Sequence, residues 1–189
     1  MQTKLNIGAG PTNFGSDWIH IDAANYKHIT ENDIYLYKWP KESVDLIYSS
    51  HTLEYFSWHT AFKVLTEWKR TLKLGGILYL AVPDFEAMAK LYISKKCKLQ
   101  DIIGPLYGRM QSNRKWIYHK TVYDYEKLYE LLNEVGYKNI NKYDWNQISP
   151  FNKVDDQSKA YLPKCPECIK KLSWTSEYTL ISLNVMAVK

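Results

Sequence analysis

No apolar run in this chain approaches the ~20 residues that a membrane-crossing helix needs. Cysteine is scarce. There are three, an odd number, which does not make a disulfide framework and points to a reducing compartment. Met1 is followed almost at once by a strand-like stretch, so no leader is expected and a cytoplasmic location is. Cys165 and Cys168 form one Cys-x-x-Cys pair. Zinc would need two further ligands, and only Cys97 and scattered histidines remain, so no metal is assigned. There is no Gly-Lys-Ser/Thr phosphate loop, and no third glycine opens a helix as a dinucleotide site requires. No internal repeat or low-complexity tract divides the 189 residues, so residues 1–189 read as one domain. The net charge of +5 suits an anionic substrate or nucleic acid, and equally suits a lysine-rich composition.

What is present in quantity is aromatic. Sixteen Tyr and seven Trp can form stacking platforms for sugars or bases, or fill core and surface. The most informative stretch is Lys4 to Asp22. Leu5 and Ile7 sit in a short apolar strand that stops at Gly8-Ala9-Gly10. A second strand, Trp18 to Ile21, ends on Asp22. Ligands of open parallel α/β sheets lie off the carboxyl ends of the strands. Glycines there tolerate positive φ and let a ligand approach the backbone, and an acid ending the next strand can accept from a ribose diol. Gly15 is misplaced for a dinucleotide pattern, the acid comes early, and a phosphate-cradling helix hardly fits before Trp18. A nucleoside without a pyrophosphate is the better fit, which points to S-adenosylmethionine (SAM).

Further along, Asp33 to Leu36 reads as a short edge strand or turn, with Asp33 facing an adenine amino group or capping the turn and Ile34 lending backbone to the ring. Val44 to Ser50 is a buried strand that delivers Ser49, Ser50 and His51 to the ligand edge. His51 there either touches SAM or the acceptor, or packs a helix start. Trp58 to Leu72 has helical spacing, with Gly75-Gly76 as its stop. Ile77 to Val82 is another buried strand, ending at Asp84, and Glu86 to Lys95 is helical. Residues 96–122 read as an irregular acceptor-side segment carrying Arg109, Gln111, Tyr118 and His119. Tyr123 to Val135 is a helix closed by Gly136, Lys138 to Trp145 a strand, and residues 150–173 a second loop with Asp155, Asp156 and Tyr161. Residues 179–188 close the chain as a strand inserted antiparallel.

Asn6-Ile7-Gly8-Ala9-Gly10, Trp18 to Asp22, Val44 to Phe56 and Leu72 to Leu78 together resemble the class I SAM-dependent methyltransferases. The run Ser49-Ser-His-Thr-Leu-Glu-Tyr-Phe56 is similar to that family's His-x-Leu-Glu-His signature, with Tyr55 in place of the second histidine. The short Gly10 to Trp18 interval, Val82 to Phe85, Tyr118 to Lys120, residues 155–161 and Ser182 to Val185 resemble a compact subgroup associated with surface-glycan synthesis. The resemblance implies a Rossmann-like α/β fold: a mostly parallel seven-stranded sheet with an antiparallel last strand and helices on both faces. It implies SAM contacts at Gly8, Ala9, Gly10, Asp22, Asp33, Ile34, Ser49, Ser50 and His51.

Methyl transfer from a sulfonium mainly requires that the acceptor be aligned at attack distance. A sugar hydroxyl also needs a base within reach. His119, Asp84 and His51 are the candidates, with His119 expected as base and Asp84 orienting the acceptor. Arg109, Gln111, Tyr118, Asp155, Asp156 and Tyr161 are the expected acceptor contacts. The expected activity is O-methylation of a sugar hydroxyl on a glycan or nucleotide-sugar. The alternatives are a nucleic-acid or small-molecule methyltransferase and a non-catalytic SAM-binding module. Nucleic acid is disfavoured because no Asn/Asp-Pro-Pro-Tyr-type signature follows Tyr48.

Overall fold

The computed structural model describes residues 2–112, 115–153, 160–163 and 178–189, with only the backbone at Ser112, Tyr161 and Pro163. The expected acceptor contacts Asp155 and Asp156, the side chain of Tyr161, and Cys165 and Cys168 lie outside the described residues. The core is a six-stranded sheet in the order β2-β1-β3-β4-β10-β7. Its strands are β1 (Lys4–Ile7), β2 (Ile19–Ile21), β3 (Val44–Ser50), β4 (Leu72–Pro83), β7 (Lys138–Lys142) and β10 (Ser182–Val188). The first four run parallel. β10 inserts antiparallel between β4 and β7, as its position after a chain return predicts.

Among the described residues the sheet has six strands where seven are expected. Only Glu31 bridges Ile21, and residues 33–36 turn instead. Their carbonyls are taken by the neighbouring helix α1 (Trp58–Thr71). The Trp68 indole donates to the Ile34 carbonyl at 2.9 Å, and Arg70 donates to the carbonyls of Leu36 and Trp39. These bonds tie the turn to α1.

Side chains alternate across the sheet, and the two faces are covered differently. Leu5, Ile7, Ile47, Leu78, Leu80 and Val185 join the cluster that holds Leu65 and Trp68 of α1 and Leu128, Leu131 and Leu132 of α4 (Tyr125–Val135). Each such buried side chain contributes about 1.5–3 kcal/mol. Asp124 caps α4 by accepting from the Lys127 amide at 2.8 Å, and Gly136 ends it in the left-handed conformation, φ 93°. Tyr48 and Tyr79 point the other way, into an aromatic cluster with Phe14, Trp18, Tyr143 and Phe151. Residues from the β1–β2 connection and from the loop after β7 thus cover that stretch of sheet.

Two segments correct the reading by pattern. Gly75 does not cap α1. The helix stops at Thr71 and β4 begins at once, with Gly75 (φ 76°) inside a register jump opposite β3. Residues 96–122 are not irregular. They form α3 (Leu99–Tyr107) and a hairpin of β5 (Met110–Ser112) and β6 (Lys115–Ile117). Ile102 and Leu106 hold α3 against Met88 and Leu91 of α2 (Phe85–Ile93) and against Ile181. A second hairpin pairs β8 (Tyr161–Pro163) with β9 (Tyr178–Leu180).

Candidate active site

The carboxyl ends of β1 and β3, the start of α3's partner loop and the β5 entrance enclose a cleft of about 650 Å³. That lies within the range of small-molecule sites. One wall is the glycine turn. The amides of Gly8 and Ala9 donate to the Ile21 carbonyl at 2.8 and 3.2 Å, which locks the turn to β2. Both glycines have positive φ, 71° and 51°, but for different ends. A Cβ on Gly8 would lie 1.8 Å from Thr52 Oγ1, so Gly8 serves internal packing. A Cβ on Gly10 would meet nothing within 4 Å, so Gly10 leaves backbone open to the cleft.

Asp22 sits behind this turn. Its carboxylate accepts from the Gly10 amide at 2.8 Å and from the Ala24 amide at 2.6 Å. Each oxygen keeps a free lone pair, so the group both sets the turn and retains acceptor capacity.

Three further cleft-lining residues carry buried polar atoms with no hydrogen-bond partner: Asn6 Nδ2, Ser50 Oγ, and both carboxylate oxygens of Glu54. Buried polar atoms are almost always paired. Their clustering on one cleft marks where ligand atoms belong, and their mix of donor and acceptors matches a nucleoside amino acid.

The inner wall is a His-Glu-His group. Glu54 follows β3 in a short 3-10 turn, and its side chain is 1% exposed. Its Oε1 lies 3.6 Å from His51 Nδ1 and 3.7 Å from His119 Nε2. The other nitrogens fix both tautomers. His119 Nδ1 faces the Leu106 carbonyl at 3.2 Å, an acceptor only, so Nδ1 carries the proton. Ser182 Oγ donates to Asn184 Oδ1, so it accepts from His51 Nε2 at 3.0 Å. Two bare imidazole nitrogens therefore face one carboxyl oxygen. Burial pushes the Glu54 carboxyl up to about 8, and contact with its own backbone amide offsets this only in part. Burial, then the neighbouring His119, brings His51 down to about 3, and burial lowers His119. His51 also sits at φ 49°, a strained setting for a side-chain-bearing residue, held by its amide's bond to the Ala81 carbonyl at 2.8 Å. Among the described residues no three His, Cys, Asp or Glu side chains are arranged as a metal centre.

The structure brings Gly8, Ala9, Gly10, Ser50, His51, Arg109 and His119 to one cleft. The other described sequence candidates do not line it, Asp22 included, which stands behind the glycine turn. Asp84 caps α2, accepting from the Ala87 amide at 3.0 Å. Asp33 accepts from the Lys38 amide, and the Ile34 carbonyl is taken by Trp68. Ser49 donates to the Ile7 carbonyl inside the sheet. Gln111 and Tyr118 lie on or beside the hairpin and do not line the cleft. Sequence reasoning missed Glu54, Asn6 and Gly108. Glu54 lay in the very run that carried the family resemblance. A Cβ on Gly108 (φ 45°) would fall 1.8 Å from His119 Nε2, so this glycine seats the imidazole.

Comparison with known proteins bears on the fold. A family model described as a methyltransferase domain matches residues 15–80. No curated protein matches the chain. Among solved structures, a SAM-dependent methyltransferase from Archaeoglobus fulgidus is similar with a TM-score of 0.58 and 17% identity, covering 100% of this chain and 86% of that one. A possible histamine N-methyltransferase from Thermotoga maritima gives 0.57 and 14%, covering 100% and 83%. The 1,6-didemethyltoxoflavin-N1-methyltransferase of Burkholderia thailandensis, solved with S-adenosylhomocysteine, gives 0.52 and 11%, covering 99% and 70%. The matched stretch is a methyltransferase domain, the whole chain has the fold of the SAM-dependent methyltransferases it is similar to, and SAM is the methyl donor these imply. No helix among the described residues is long and apolar enough to cross a membrane.

Proposed function

We propose that this enzyme is an O-methyltransferase acting on a sugar hydroxyl of a glycan or nucleotide-sugar, with residues 1–189 acting as one catalytic domain. The observation that carries the reading is a single cleft with a cofactor turn on one wall and a buried proton-accepting group on another. SAM supplies an activated methyl group. Gly10 and its neighbours Gly8 and Ala9 receive its backbone-facing edge, Asp22 takes the ribose hydroxyls, and Asn6 and Ser50 satisfy its polar atoms. The acceptor enters over the hairpin. There Arg109 stacks on the Trp116 ring at 4.1 Å, and Trp116 and Tyr118 are 52% and 46% exposed. Flat aromatic faces backed by a cation suit the C–H face of a pyranose and its anionic substituents. The reacting hydroxyl then meets the His51–Glu54–His119 group, and carbohydrate needs such a base whereas an activated nitrogen does not.

The test is transfer of labelled methyl from SAM by the purified protein, offered a cell carbohydrate extract and total RNA side by side. Label in carbohydrate that disappears with Gly10→Arg supports the proposal. Label in RNA alone moves the acceptor to nucleic acid, and label in neither removes the carbohydrate reading.

A further inference from the structure

The His-Glu-His group holds more information than the identity of a base. Glu54 lines the cleft with its side chain only 1% exposed. His51 and His119 face Oε1, and burial, then the nearby Glu54 carboxyl, raises the hydroxyls of Tyr55 and Tyr123. Arg109, a cation lining the same cleft, is engaged with Trp116. Among the described residues no cation is bonded to the carboxyl. With both facing nitrogens bare, an ionised Glu54 would set its charge against two lone pairs with nothing to offset it, so the neutral acid is favoured. An acid is useless as a base until something ionises it.

Resting on the methyltransferase reading above, we propose that Glu54 itself, rather than either histidine, takes the acceptor's proton, and that SAM ionises it on binding. SAM brings a sulfonium cation into a cleft whose wall holds an unpaired carboxyl. In a medium less polarisable than water, opposite charges attract strongly enough to move a proton off that carboxyl. The freed proton leaves to solvent. In the transfer, the acceptor O–H bond breaks and its proton passes to a Glu54 oxygen. The new O–CH₃ bond forms as the S–CH₃ bond breaks, and sulfur keeps the electron pair. One cation and one anion enter, and a neutral thioether and a neutral acid result. The histidines are positioning residues: their tautomers are set by Leu106 and Ser182, and their rings flank the carboxyl at 3.6 and 3.7 Å. S-adenosylhomocysteine lacks the sulfonium, so it leaves Glu54 protonated.

The proposal is read without an acceptor. Titration calorimetry at pH 7, repeated in buffers of different ionisation enthalpy, counts protons released on binding SAM and on binding S-adenosylhomocysteine. With Glu54 near 8, about nine-tenths of it is protonated at this pH. His51 and His119 are already neutral there, and the tyrosines stay protonated, so none of these adds to the count. The expected result is release of about half a proton or more with SAM, clearly less with S-adenosylhomocysteine, and no difference in Glu54→Gln. As a second measurement, infrared difference spectra of the wild type should lose a protonated-carboxyl band with SAM only. Equal release for both ligands, or a SAM-specific release that survives in Glu54→Gln, overturns the proposal. If Glu54→Gln does not fold, a carboxyl band unchanged by SAM overturns it. Wild-type protein that takes up neither ligand would instead overturn the cofactor reading on which this one stands.

Discussion

Replacing Gly108 with alanine is the sharpest test of how the inner wall is built. Gly108 follows α3 with φ 45°, and its missing side chain is filled by the His119 ring. The three atoms nearest a new Cβ all belong to that ring, at 1.8, 2.1 and 2.3 Å. Two costs add. A left-handed backbone at a residue with a Cβ costs about 1–2 kcal/mol. Overpacking a filled site costs roughly 1–3 kcal/mol more. Gly108→Ala should therefore lose about 2–5 kcal/mol. In a His119→Ala background the collision vanishes and only the backbone cost of about 1–2 kcal/mol remains. Urea unfolding of the four proteins, followed by tryptophan fluorescence, gives the coupling directly. A favourable coupling of about 1–3 kcal/mol is expected. An equal loss in both backgrounds would refute the packing of the imidazole on this turn, and with it the tautomer argument for His119.

Three other outcomes follow from the same geometry. Asp22→Ala removes the acceptor of the Gly10 and Ala24 amides, so calorimetric SAM affinity should fall tenfold or more, and unchanged affinity would remove Asp22 from the site. Gly8→Ala, colliding with Thr52, should lower the thermal midpoint more than Gly10→Ala does, although both sit at positive φ. The pH dependence of stability has opposing parts. His51 and His119 are held below their ordinary values, so their contribution is present above about pH 6.5 and is lost on acidification as the unfolded chain takes up protons. Glu54 is raised from 4.5 to about 8, so its contribution is full below about 4.5 and is lost as pH rises towards 8. Between pH 6.5 and 8 Glu54 acts without the histidines. Denaturation midpoints should fall across that window by an amount on the order of 2 kcal/mol, and Glu54→Gln should flatten the decline.

Much of this arrangement is legible along the chain. The glycine turn and Asp22 announce the ligand edge because strands end there and a short polar link joins them. The periods of α1 and α4 are strong because each packs one stripe on one sheet face. The misreadings have physical causes. Gly104 and Pro105 look like breakers, yet α3 runs through both to Tyr107, forgoing the hydrogen bond that the Pro105 amide would have made. Residues 33–36 read equally as strand or turn, and the turn they adopt is tied to α1 through Trp68 and Arg70, more than thirty positions away. Asp84 ends a strand at the ligand edge, but it caps its own helix and does not line the cleft. Glu54 reads as one acid among twenty until the fold sets residues 51 and 119 against it.

The aromatic patch on the far side of the sheet has a mechanical consequence. Phe151 stacks on Tyr48 at 4.2 Å and lies 5.7 Å from Phe14, which shares a short connection with Gly10. Residues more than a hundred positions apart are thereby stitched together, and the glycine turn leans on a segment that reaches it only when the chain after β7 has folded back.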